Sequence, residues 1–145
     1  MSEIDPRALR DAFGAFLTGV TVVTTVGEDG APRGFTANSF ASVSLDPPLL
    51  LVCPARRLSS FAAFEGCRDF AISVLAEGQE AVSNIFASSK GDRFAEVAWR
   101  PAASGAPVIE GAAAAFACTA QSVVPAGDHV ILIGRVTAFE RSGRR

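Results

Sequence analysis

The chain has 145 residues, of which 49% are hydrophobic, enough to bury a core in one domain without disulfide or metal staples. Its 13 basic residues nearly balance 15 acidic ones, for a formal net charge of -2, and no basic stripe interrupts the pattern, which argues against a nucleic-acid surface. Arg141, Arg144 and Arg145 read as a solvated tail. Residues 1–11, MSEIDPRALRD, are charged and carry no apolar core of a signal peptide, and no run approaches membrane-span length. The expectation is a soluble, cytoplasmic protein. Cys53, Cys67 and Cys118 lack metal-ligand spacing and are read as reduced, mostly buried thiols.

Asp5-Pro6 opens a helix, Asp as N-cap and Pro in the first turn. Leu9, Ala12, Phe13, Phe16 and Leu17 recur at helical spacing, and Gly19 is a plausible C-cap. Residues 20–26, VTVVTTV, are β-branched throughout and predict a strand. The turn Gly27-Glu28-Asp29-Gly30 leads into a second strand from about Arg33, so the two form a hairpin.

That strand runs into GFTANSFASVSLDPP, residues 34–48, the stretch around which the rest is organised. Alternation sends Phe35, Ala37, Ala41, Val43 and Leu45 to one face, a core face. Thr36, Asn38, Ser42 and Ser44 fall on the other, with a break at 38–40 that predicts a bulge or bend. This polar face carries amides and hydroxyls without charge, which suits either a neutral polar ligand or a solvent-facing Ser/Thr strand.

Pro47-Pro48 ends the run, and residues 49–53, LLLVC, read as an interior strand. In PARRLSS, residues 54–60, Ser59 or Ser60 caps a short helix carrying Leu58, Phe61 and Phe64. With Arg56 and Arg57 beside it, this segment is either a phosphate cradle or an ordinary capped helix behind two exposed arginines. Residues 69–75 alternate as a strand, and 77–89 form an amphipathic helix with Val82, Ile85 and Phe86 inward. In the polar loop 88–94, Lys90 and Arg93 reach a ligand or face water. Residues 99–107 read as irregular, with a short strand at 108–110.

Residues 113–124 have helical propensity, but the flanking turn signals favour a strand. Residues 125–128, PAGD, then turn the chain into a β-rich run, 129–139. Parallel βαβ units and a GxGxxG fingerprint are not evident. The order fits a mainly β fold, a closed or split antiparallel barrel with peripheral helices.

Chemistry narrows by elimination. The single His, His129, and the absence of CxxC exclude a zinc set. No GxSxG or P-loop occurs. Asp128 adjoins His129, so on a strand it would point to the opposite face and fail to orient the ring. An enzyme built from this chain needs a cofactor to carry the chemistry. His129, where a turn meets a strand, is either a surface or core residue or a donor to a bound ligand.

GFTANSFASVSLDPPLLLVCP together with GDHVILIGRV resembles the flavin reductase domain family, the NAD(P)H:flavin reductase components of two-component flavin-dependent monooxygenases. The likeness runs from the first helix to about Phe139. It implies an FMN-binding split β-barrel of Greek-key type with peripheral helices, forming one domain over 1–145. The family ordinarily continues past the last strand into a nicotinamide-binding segment that this chain is expected to lack.

By this resemblance Gly34, Phe35, Thr36, Ala37, Asn38 and Ser39 lie along the flavin, Asn38 and Ser39 hydrogen-bonding it, with Ser42 close by. Cys53, Pro54 and Ala55 line the flavin, Ser59 and Ser60 hold its phosphate, and Phe86 borders it. His129 packs at the nicotinamide side. Arg33 is a candidate for a phosphate or for the extra moiety of a dinucleotide flavin. The implied cofactors are FMN or FAD with NADH or NADPH, and hydride passes between stacked rings without a protein acid, base or nucleophile. A homodimer and an oxygenase partner are also implied. The alternative is a non-catalytic flavin- or tetrapyrrole-binding barrel, with deazaflavin or pyridoxamine phosphate oxidoreductases on the same fold as a third reading.

Overall fold

The computed structural model describes residues 4–13, 20–88 and 92–142. Helix α1, Pro6–Phe13, begins where Asp5 accepts the Arg7 N–H at 3.1 Å, as an N-cap should. It lies against strands β3 (Ala41–Leu45) and β9 (His129–Arg141), burying Leu9 and Ala12 completely. The expected continuation through Phe16, Leu17 and Gly19 falls outside the described residues, as do Lys90 and the terminal Arg144 and Arg145.

Strands β1 (Thr21–Val26) and β2 (Pro32–Ala37) form the expected hairpin. Gly30 turns it at φ +81°, a conformation that glycine adopts without steric penalty. Beyond β3 come β4 (Pro48–Val52), helix α2 (Phe61–Glu65), β5 (Asp69–Val74) and helix α3 (Glu80–Ala87). A 3₁₀ turn at Arg93–Glu96 precedes β6 (Trp99–Pro101), β7 (Pro107–Ile109) and β8 (Ala114–Ala126). Residues 113–124, poised between helix and strand on local propensity, are strand because β5 and β9 pair with them on both sides.

Seven strands form one antiparallel sheet in the order β2-β1-β5-β8-β9-β4-β3. Laid flat, its edges would stand about 29 Å apart, six interstrand spacings of about 4.8 Å. Yet β2 and β3, the two edges, are joined by residues 38–40 alone, a link that reaches no more than about 14 Å. The sheet therefore rolls up, and the seam between β2 and β3 has no backbone ladder among the described residues. This is the split barrel expected from the sequence.

Phe35, Phe64, Phe70 and Phe116 fill its interior with Leu50, Ile72 and Leu132, and each such side chain stabilises the fold by about 1.5–3 kcal/mol on burial. Gly134 on β9 leaves the space that the Phe70 ring occupies: a Cβ there would lie 2.4 Å from its Cζ.

Two sequence expectations are corrected. Residues 99–107, read as irregular, contribute a strand of the β6–β7 hairpin. That hairpin covers the outer face of the sheet: Thr24 Oγ1 donates to Pro107 O, and Ser73 Oγ accepts the Ile109 N–H. Secondly, the core face assigned to residues 34–45 does not persist. Phe35 and Ala37 are buried, but Ala41 is exposed and Val43 is 47% exposed, whereas Phe40 is buried. The 38–40 link and a register shift between Ser42 and Ser44 each reset the alternation, so one phase cannot describe the whole stretch.

Candidate functional site

Three remote segments of the sequence are tied together at the β2–β3 seam. Ser39 Oγ accepts the Cys53 N–H at 3.0 Å, fixing the 38–40 link to the loop after β4. That loop continues to the β8–β9 turn: Pro54 O accepts the Val130 N–H at 3.0 Å, and Ala55 bridges His129. Asn38 is exposed beside these ties, Ser39 and Cys53 are half-buried, Pro54 is buried, and Ser42 is exposed on edge strand β3. The Phe35 and Ala37 side chains lie in the core, so only their backbones are available to a ligand.

Thr36 lies on the opposite face of β2 from these core side chains, and its Oγ1 donates to Ser83 O at 2.6 Å, docking α3 on the strand. Gly34 permits that approach, since a Cβ there would sit 3.1–3.2 Å from the Phe94 and Phe86 rings. Phe86 is buried edge-to-face against Phe94, centroids 4.9 Å apart.

Beside this aromatic pair lies a cavity of about 500 Å³, lined by Ser59 and Ser60 together with Arg33, Asp92, Arg93 and Phe94. The two serines expected to hold an anion thus share a wall with two guanidinium groups, although not those nearest in sequence. Arg56 is committed elsewhere: its Nε donates to Gly127 O at 3.2 Å and its guanidinium covers the Phe61 ring. Arg57 is exposed and does not line the cavity. Of the four arginines, Arg33 and Arg93 line the cavity with Ser59 and Ser60, and Arg56 and Arg57 do not. Ser60 does stand at the N-cap position of α2, without a side-chain capping bond.

Asp128 contradicts the elimination made from sequence. Its Oδ1 lies 2.7 Å from His129 Nδ1. A carboxylate only accepts, so the Nδ1 N–H donates to it, and this bond orients the ring. Strand alternation does not apply because Asp128 belongs to the two-residue turn with Gly127, at φ +68°; the Gly-Asp turn signal was present in the sequence. The hydrogen bond and charge of His129 hold the Asp128 carboxyl below its ordinary pKa.

Cys118 is buried, Cys53 and Cys67 are half-buried, and all three are free thiols. Burial pushes the Cys67 pKa up to about 11, with Asp69 adding to the rise and the Thr25 hydrogen bond opposing it. Burial raises Cys118 further still. Neither is a nucleophile at neutral pH. No helix among the described residues is long and apolar enough to cross a membrane.

Residues 13–145 match the flavin reductase like domain family. The probable flavin reductase of Rhizobium meliloti (strain 1021) is 60% identical over 139 residues, 96% of this chain and 45% of that protein. The reductase component of the flavin-dependent trigonelline monooxygenase of Acinetobacter baylyi is 56% identical over 147 residues, 99% of this chain and 47% of that protein. The chain thus spans about half the length of these curated relatives. Among solved structures, the Streptomyces globisporus C-1027 NADH:FAD oxidoreductase SgcE6 superposes with a TM-score of 0.82 at 42% identity, covering 100% of this chain and 90% of that one. Sequence motif, rolled sheet and these likenesses agree, and the chain belongs to the flavin reductase like domain family.

Proposed function

We propose that the chain is an NAD(P)H-dependent flavin reductase that passes reduced FMN or FAD to a partner monooxygenase. The observation that carries this reading is the pair of ties from Ser39 to Cys53 and from Ala55 to His129, which gathers three separate segments into one site. The donor set fits a flavin. Asn38 offers a neutral amide to a polar ring edge, and Ser59, Ser60, Arg33 and Arg93 surround a cavity suited to an anionic tail.

A flavin held by Asn38, Ser59, Ser60, Arg33 and Arg93 would supply the redox chemistry, taking electrons from a nicotinamide substrate as hydride. The protein's part is positional. The Ser39 bond fixes the loop carrying Cys53, Pro54 and Ala55. Uncharged groups at the ring edge stabilise an electron-rich ligand without holding it permanently, as release to an oxygenase requires. The Asp128 contact orients the His129 ring, and in this reading that ring serves the nicotinamide substrate.

A homodimer completes this reading. Residues 121–128 at the end of the β8–β9 hairpin are all exposed, including Val123 at 37% and Val124 at 43%, an apolar surface for a second copy to cover.

The test is to mix the protein with NADH or NADPH and to follow the nicotinamide absorbance band with and without added FMN or FAD. Oxidation that depends on flavin supports the reading. Flavin binding with no nicotinamide oxidation refutes it.

A further inference from the structure

Arg33 and Arg93 are 60 residues apart in the sequence, yet they line one cavity and their charges oppose each other. Each is held in place before any ligand arrives. Asp29, in the β1–β2 turn, accepts the Ala31 N–H at 3.0 Å through Oδ1 and Arg33 Nη2 at 2.8 Å through Oδ2. Arg33 Nη1 also donates to Pro32 O at 3.2 Å. Arg93 spends Nη1 on the Ser88 and Phe86 carbonyls, at 3.0 and 3.4 Å, and lies over the Phe86 ring. A guanidinium has five N–H donors, so both groups retain donors for the cavity.

Two like charges fixed beside one another are unfavourable without an anion between them. Among the described residues Asp29 pairs with Arg33 alone, and the exposed Asp92 is the one carboxylate lining the cavity. A terminal phosphate would be satisfied by the Ser59 and Ser60 hydroxyls and a single guanidinium. It would also leave most of the roughly 500 Å³ empty, a volume within the range of about 300–1,000 Å³ that accommodates whole small molecules. Ala31, Pro32 and Phe94 supply an apolar wall to the remainder.

We infer that this cavity takes the diphosphate of a dinucleotide flavin, with Arg33 and Arg93 each engaging a phosphoryl group, so that the site prefers FAD to FMN. The inference rests on the flavin reading above and sharpens it. Arg33 is the specificity residue: it contacts the phosphoryl group that FMN lacks.

The experiment titrates FAD and FMN into the full chain by flavin fluorescence, for the wild type and Arg33→Gln. The wild type is expected to bind FAD more tightly than FMN. The variant is expected to lose about tenfold in FAD affinity, the scale of one charge-assisted hydrogen bond, with less than about a threefold change for FMN. Retained FMN binding shows that the variant is folded. A second arm needs no variant: ADP displaces FAD from the wild type at lower concentration than AMP does. Equal affinity for the two flavins, equal losses in the variant, or equal displacement by ADP and AMP overturns this inference alone. Binding of neither flavin by the wild type overturns the flavin reading and this inference with it.

Discussion

Gly134→Ala tests whether the barrel interior is packed as described. The added Cβ would stand 2.4 Å from Phe70 Cζ, 2.8 Å from Cε1 and 3.0 Å from Cys118 Cβ. Carbon atoms rest at about 3.5–4.0 Å, so the Phe70 ring must move by about an ångström, and it is wholly buried. Overpacking of this kind costs about 1–3 kcal/mol. Against it stands the smaller chain entropy of alanine in the unfolded state, worth about 0.4–1 kcal/mol. The balance is a loss of about 1–2 kcal/mol, or about 3–6 °C in melting temperature for a domain of this size. Thermal or urea unfolding followed by circular dichroism measures it. Because Phe70 is the obstacle, adding Phe70→Leu should cost less in the Gly134→Ala background than in the wild type. An unchanged or raised melting temperature for Gly134→Ala would refute the packing argument.

Other expectations concern the site and its surroundings. Asn38→Ala should weaken flavin binding by about 1–2 kcal/mol, the scale of one lost polar contact; an unaltered titration would count against the neutral polar site. His129→Ala should chiefly raise the KM for the nicotinamide substrate in steady-state assays, and a defect confined to flavin affinity would contradict its role. For Cys67 the folded pKa, about 11, lies above the ordinary thiol value of 9.0. The unfolded chain therefore releases its proton first, and this contribution to stability is complete below about pH 9 and lost as pH rises towards 11. Denaturation midpoints across that window should fall less steeply in Cys67→Ser than in the wild type, and parallel curves would contradict the burial argument.

The elements were legible where the signal is local. β-Branched residues in VTVVTTV, the Asp5 cap and the Gly-centred turns act over a few residues, and the structure places strands, helix and hairpins there. The uncharged row at Thr36–Asn38–Ser39 was readable for the same reason, since side-chain chemistry does not depend on the fold.

Phase and partnership were decided in three dimensions. Alternation placed Ala41 and Val43 inside, but the seam link and the bulge at Ser42–Ser44 leave both exposed while Phe40 is buried. Strand geometry likewise separated Asp128 from His129, until the turn joined them. Nearness in sequence nominated Arg56 and Arg57 for the anion, whereas rolling the sheet brought β2 and the segment after α3 around Ser59 and Ser60. Local chemistry along the chain decides which groups exist and which short segments hold them. Only the rolling of the sheet decided which of those groups meet, because convergence is set by strand order across all seven strands, and no local periodicity encodes it.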